Sequence, residues 1–232
     1  MSSLVLRFKS GRFIWSVLVS LYFLVFFTNF FADVVPTQKV VPLIGAYLFV
    51  FWLAVEYYFG SPFFQSGVVE PSAVWRGVFA FFVYPYLIYV GADFIWWRWT
   101  QIPVNPLITG IFGLIILCSG IYLRLVTLFG LVRIAQVKPN TGELIFPVRR
   151  FLELKWQKIC RHPRYLAILI LLVGIALVFR SWGGVILVLI LGLPLVWIQA
   201  RYEEKVLALL LKSEFQQFRQ VAMLFPRFPR KI

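Results

Sequence analysis

The chain has 232 residues, of which 61% are hydrophobic and only 14% charged, whereas a soluble domain is roughly 45–50% apolar and 25% charged. This excludes an ordinary soluble globule and points to an integral membrane protein. The formal net charge of +14 raises nucleic acid as a partner, but the Lys and Arg residues concentrate at the N-terminus, over residues 133–164 and after Arg201, as positive-inside bias would place them.

The apolar runs approach the ~20 residues needed to cross a hydrocarbon core and lack the alternation of a barrel strand. An all-α, polytopic helical membrane protein is therefore expected, with about six transmembrane helices and a cytosolic C-terminal helix. Arg7, Lys9 and Arg12 ahead of an apolar run imitate a signal peptide. No A-x-A-like cleavage site follows, so residues 13–32 are expected to be a retained first span. The second covers residues 40–59, and Glu56 near its end either snorkels or makes a buried polar contact. The third covers residues 74–95, with Pro85 expected to kink it and Trp96, Trp97 and Trp99 forming an interfacial belt after it. Pro103 and Pro106 open the fourth, residues 106–131, which carries Arg124 near its end. Its glycines Gly110, Gly113, Gly120 and Gly130 either permit close helix contact or are simply tolerated.

Residues 132–160 are the longest stretch outside the membrane. A turn is expected at Pro139-Asn140-Thr141-Gly142, then a short helix over 148–158 whose Arg149, Arg150, Lys155 and Lys158 lie on anionic headgroups, at roughly 1 kcal/mol per basic residue. The fifth span, residues 165–179, reaches only about 22 Å, short of a ~30 Å core, so its start is expected at headgroup depth or below. After the turn Arg180-Ser181-Trp182-Gly183-Gly184, residues 183–200 form the sixth span. A helix is expected to continue from Arg201 through Phe218, with Leu207, Leu210, Leu211, Phe215 and Phe218 at roughly helical spacing. The chain thus divides into an N-terminal four-helix membrane region, 1–131, and a C-terminal region, 132–232. With six spans, most basic residues fall on the side of the termini, while Lys39, Arg98 and Arg180 fall on the other. Both termini are then cytosolic.

Two charged clusters flank the last hairpin: Cys160-Arg161-His162-Pro163-Arg164-Tyr165 before it and Arg201-Tyr202-Glu203-Glu204 after it. A two-span return brings both to one face, and charge at a membrane edge is costly enough to suggest function. His162 is the single histidine, and without a second His or a Cys pair it cannot supply the usual three or four ligands of a zinc site. No metal is expected. Cys118 and Cys160 are too few and too differently placed for a disulfide framework.

Arg161-His162-Pro163-x-Tyr165 followed by Arg201-x-Glu203-Glu204-x-x-Leu207 resembles the C-terminal signature of the isoprenylcysteine carboxyl methyltransferase family and its phospholipid methyltransferase relatives. The resemblance covers about residues 155–226. Ala167 stands where that family has a glycine, and Leu211, Lys212, Phe215 and Phe218 depart from its closing motif. It implies that S-adenosylmethionine binds on the cytosolic side with His162, Tyr165, Glu203 and Glu204 among its contacts, and that a lipophilic methyl acceptor enters from the bilayer. Carboxylates suit a cofactor carrying an ammonium and a sulfonium, Arg161 suits its carboxylate, and Tyr165 offers its adenine a wall. Arg201 either orients an anionic acceptor, the one catalytic role assigned, or pairs with Glu204 at i, i+3. Two rivals remain: a membrane sterol-type reductase using NADPH, and a non-enzymatic scaffold in which the carboxylates serve as structural glue.

Overall fold

A computed structural model describes residues 10–31, 34, 36–59, 73–134, 136–137, 144–145, 160–211 and 215. The helices are α1 (Ser10–Phe30), α2 (Pro36–Phe59), α3 (Ala73–Ala92), α4 (Pro106–Ile134), α5 (Pro163–Val178), α6 (Trp182–Leu187) and α7 (Leu193–Leu211). A π-helical turn, Asp93–Trp97, extends α3, and another, Val188–Gly192, joins α6 to α7 in one continuous rod. Two short strands, β1 (Gln136–Val137) and β2 (Leu144–Ile145), pair antiparallel after α4. The described fold is otherwise helical.

Among the described residues, three segments are long and apolar enough to cross a membrane: Gly77–Trp97, Pro106–Gly130 and Trp182–Leu210. Lys39–Val55 and Pro163–Val178 are shorter apolar helices. The backbone of α3 stays helical through Pro85. The π turn before α7 has a local cause. Pro194 has no N–H to offer a preceding carbonyl, and the ladder widens just ahead of it, with the Leu193 N–H reaching back to Val188.

The core is built around α5, and α4 packs along its whole length. Two α4 glycines make this approach possible. A Cβ on Gly113 would sit 2.5 Å from the Val178 nitrogen, and one on Gly120 would sit 2.8 Å from the Leu171 nitrogen. Gly174 of α5 reciprocates, since its Cβ would lie 2.5 Å from the Leu117 nitrogen. Only small residues let two backbones come this close, so of the two readings of these glycines the packing one holds at Gly113 and Gly120. Helices on either side of residue 131 therefore share one core, which includes Phe79, Leu117, Ile168, Leu171 and Leu172.

At the end of α5 away from His162, a polar clamp ties the α3–α4 connection to the α5–α6 turn. Buried Asp93 accepts hydrogen bonds from the Thr100 backbone N–H (3.1 Å) and hydroxyl (2.6 Å). Thr100 Oγ1 also lies 3.1 Å from Ser181 Oγ, which caps α6 by accepting from the Gly184 N–H. Trp96, Trp97 and Trp99 are exposed beside this clamp. Of the residues expected at roughly helical spacing beyond Arg201, Leu207 and Phe215 are buried, and Leu210 is 61% exposed. The Glu56 side chain, the turn at Pro139, the helix over 148–158 and the chain past Leu211 other than Phe215 lie outside the described residues.

Candidate functional site

His162 occupies the N-cap of α5 with extended φ of −129°, and Pro163 takes the first helical position, where its missing N–H costs nothing. The His162 carbonyl opens the helical ladder by accepting from the Tyr165 and Leu166 N–H groups, both at 3.1 Å. Its side chain makes no capping bond and is turned toward α7. Glu203 and Glu204 arrive there on the last turns of α7.

The two clusters meet. His162 Nδ1 lies 3.4 Å from Glu203 Oε2, and Nε2 lies 3.4 Å from Glu204 Oε1. Arg161 donates to Glu204 Oε1 at 2.6 Å, a short charge-assisted contact. Arg201 approaches Glu204 Oε2 at 3.8 Å while its guanidinium sits 4.7 Å from the centre of the Trp197 ring. At 47% side-chain exposure Arg201 borders the cluster. The hairpin thus unites Arg161, His162, Glu203 and Glu204, with Tyr165 beside them at 5.6 Å from the imidazole, centre to centre.

The electrostatics are uneven. Burial pushes the His162 imidazole down, but the carboxylates of Glu203 and Glu204, each 3.4 Å from a ring nitrogen, outweigh it and hold the group above the ordinary histidine value. Glu204 shares three cationic neighbours. Glu203, only 1% exposed, faces His162 alone at 3.4 Å, and neither of its oxygens has a hydrogen-bond partner among the described residues. A buried carboxylate without donors is costly. Cys160 is buried next to the cluster, and burial raises its thiol above the usual range against the opposing pull of the His162 backbone N–H and the Arg161 charge. That keeps it a thiol and a poor nucleophile.

Sequence reasoning missed two residues. Trp75, at the start of α3, donates its indole N–H to the Leu195 carbonyl of α7 at 2.9 Å, stacks on Phe79 at 4.8 Å and meets Tyr165 edge-on at 6.3 Å. No sequence signal set it apart from an interfacial tryptophan. Gln199 lies one helical turn before Glu203 and is 1% exposed. Its signal was present, as the one amide in the apolar run Leu193-Pro194-Leu195-Val196-Trp197-Ile198-Gln199-Ala200, where a polar side chain is costly.

A cavity of about 280 Å³, lined by Val41, Pro42, Asn105, Pro106, Leu107, Val178 and Arg180, lies at the opposite end of α5 and does not belong to this cluster. Compared with known proteins, the chain matches no protein-family model, no curated protein and no solved structure.

Proposed function

We propose that this chain is an integral membrane methyltransferase that uses S-adenosylmethionine and acts on a lipophilic acceptor at the cytosolic membrane face. The observation that carries the reading is Glu203, a buried carboxylate whose oxygens make no hydrogen bond among the described residues and whose nearest cationic neighbour there is the His162 imidazole at 3.4 Å. Such a group calls for a cationic donor, and an ammonium meets that need. The donor set fits the cofactor: Glu203 and Glu204 toward its cationic groups, Arg161 toward its carboxylate, His162 and Tyr165 beside them. S-adenosylmethionine supplies an electrophilic methyl group on a sulfonium. The protein's share is to orient the reactants and exclude water, which requires little proton transfer when the acceptor is already an anion. Six membrane crossings with both termini cytosolic belong to the same proposal, with α1, α2 and the short α5 adding to the three longer spans.

One observation favours the scaffold instead, the 2.6 Å contact by which Arg161 already satisfies Glu204. The reductase is disfavoured by paired carboxylates, which repel a polyanionic cofactor. Calorimetric titration of the detergent-solubilised chain with S-adenosylmethionine and with NADPH separates the three. We expect S-adenosylmethionine to bind and Glu203→Gln to weaken it by about 1.5–3 kcal/mol, the range for a hydrogen bond to a charged group. Binding of neither cofactor would leave the scaffold, and binding of NADPH alone would leave the reductase.

A further inference from the structure

Gln199 is a further buried polar group at this site whose hydrogen bonding is incomplete among the described residues. Its side-chain nitrogen has no partner among the described residues, although the residue is 1% exposed. It stands at i, i+4 to Glu203, so both project from one face of α7. The amide nitrogen is an unsatisfied donor among the described residues, and an unpaired buried donor destabilises the free protein.

The surroundings of the two groups differ. Glu203 lies beside His162 and close to Glu204 and Arg161, where charge can be matched. Gln199 lies one turn, about 5.4 Å, further along α7 toward the apolar Leu193 end. Trp75 is anchored there on the Leu195 carbonyl, with its ring against Tyr165. Charge is expensive at that level, whereas an uncharged planar group with hydrogen-bond acceptors is not. A ligand with a charged end and a neutral heteroaromatic end is therefore sorted along α7, charged end at the carboxylates and neutral end at Gln199.

Resting on the methyltransferase reading, we infer that Gln199 is a further cofactor-binding residue, its amide donating to a ring nitrogen of the adenine base. The unpaired donor is retained at the expense of the free protein's stability because the bound cofactor satisfies it.

The test uses the full chain in detergent, with Gln199→Met as a near-isosteric replacement lacking the donor and Gln199→Glu as one that keeps the shape but adds charge. Two ligands are titrated calorimetrically: S-adenosylhomocysteine, which carries the base and the amino-acid end, and 5′-methylthioadenosine, which carries the base without that end. We expect Gln199→Met to raise the Tm of the ligand-free protein by about 2–4 °C and to weaken both ligands by the same factor, roughly 2- to 10-fold. Gln199→Glu, which places a second carboxylate one turn from Glu203, should weaken both at least as much. Unchanged affinities in Gln199→Met overturn the inference, and so does a lower Tm in that variant, which would make the amide a structural group. Loss confined to S-adenosylhomocysteine overturns it too, because the contact would then be with the amino-acid end. If the wild type binds neither ligand, the methyltransferase reading itself falls and takes this inference with it.

Discussion

At the scale of single residues, the site depends on how unequally two adjacent carboxylates are served. Among the described residues, Glu204 draws on Arg161, His162 and Arg201, while Glu203 has His162 alone. The imidazole links them, and its proton affinity is raised in the folded chain. The linkage sign follows. A group whose folded pKa exceeds its unfolded value, about 6.5 for histidine, contributes stability that is complete below the unfolded pKa and is lost as pH rises through the folded one. The charged groups facing His162 are Glu203, Glu204 and the neighbouring Arg161, and the guanidinium does not titrate in this range. Thermal unfolding of wild type and His162→Gln, scanned from mildly acidic to mildly alkaline pH, should show the largest wild-type advantage at the acidic end, narrowing above neutrality. A gap that widens with pH would mean that the neutral imidazole is the form the fold prefers.

At the scale of elements, the position of His162 depends on how closely α5 lies against α4. The Gly113, Gly120 and Gly174 contacts set that distance, and Arg124 of α4 reaches the carbonyl of Arg164, just past His162, at 3.4 Å. Gly120→Ala places a methyl group against the Leu171 backbone, which cannot swing aside as a flexible side chain would. Overpacking of this kind costs typically 1–3 kcal/mol. A Tm lowered by about 2–12 °C in detergent is expected. Gly77→Ala, at a position with open space around the added carbon, serves as the control and should leave Tm unchanged or slightly raised. Equal effects at both positions would mean that the α4–α5 distance is not set by glycine.

At the scale of the whole molecule, the clusters at the two ends of α5 are chemically distinct. The His162 end holds the carboxylates and their cations, and the other holds the Asp93–Thr100–Ser181 clamp with its exposed tryptophans. The proposed topology puts the first in the cytosol and the second outside. With Cys118 and Cys160 replaced by serine, single cysteines at Ser2, Tyr202 and Trp99 report orientation through a membrane-impermeant maleimide. Ser2 and Tyr202 should label from the cytosolic side and Trp99 from the other. Labelling of Tyr202 and Trp99 from one side would break the hairpin topology, and labelling of Ser2 opposite Tyr202 would reduce the crossings to an odd number.

Composition and apolar run length determined that the chain is helical and membrane-embedded, because uninterrupted hydrophobicity over a span's length has few other solutions. They also located the helices closely, from α1 to the hairpin that returns the charged clusters to one face. The meeting of His162 with Glu203 and Glu204 was legible because two successive helices joined by a tight turn return the chain to the end it left, whatever their packing. Trp75 and Gln199 were not settled this way. Whether an interfacial tryptophan turns toward lipid or toward α7, and whether an amide in an apolar helix finds a partner, depends on rotation about helix axes and on neighbours remote in sequence. Only tertiary packing fixes these, and here it left the Glu203 oxygens and the Gln199 amide nitrogen buried without hydrogen bonds among the described residues.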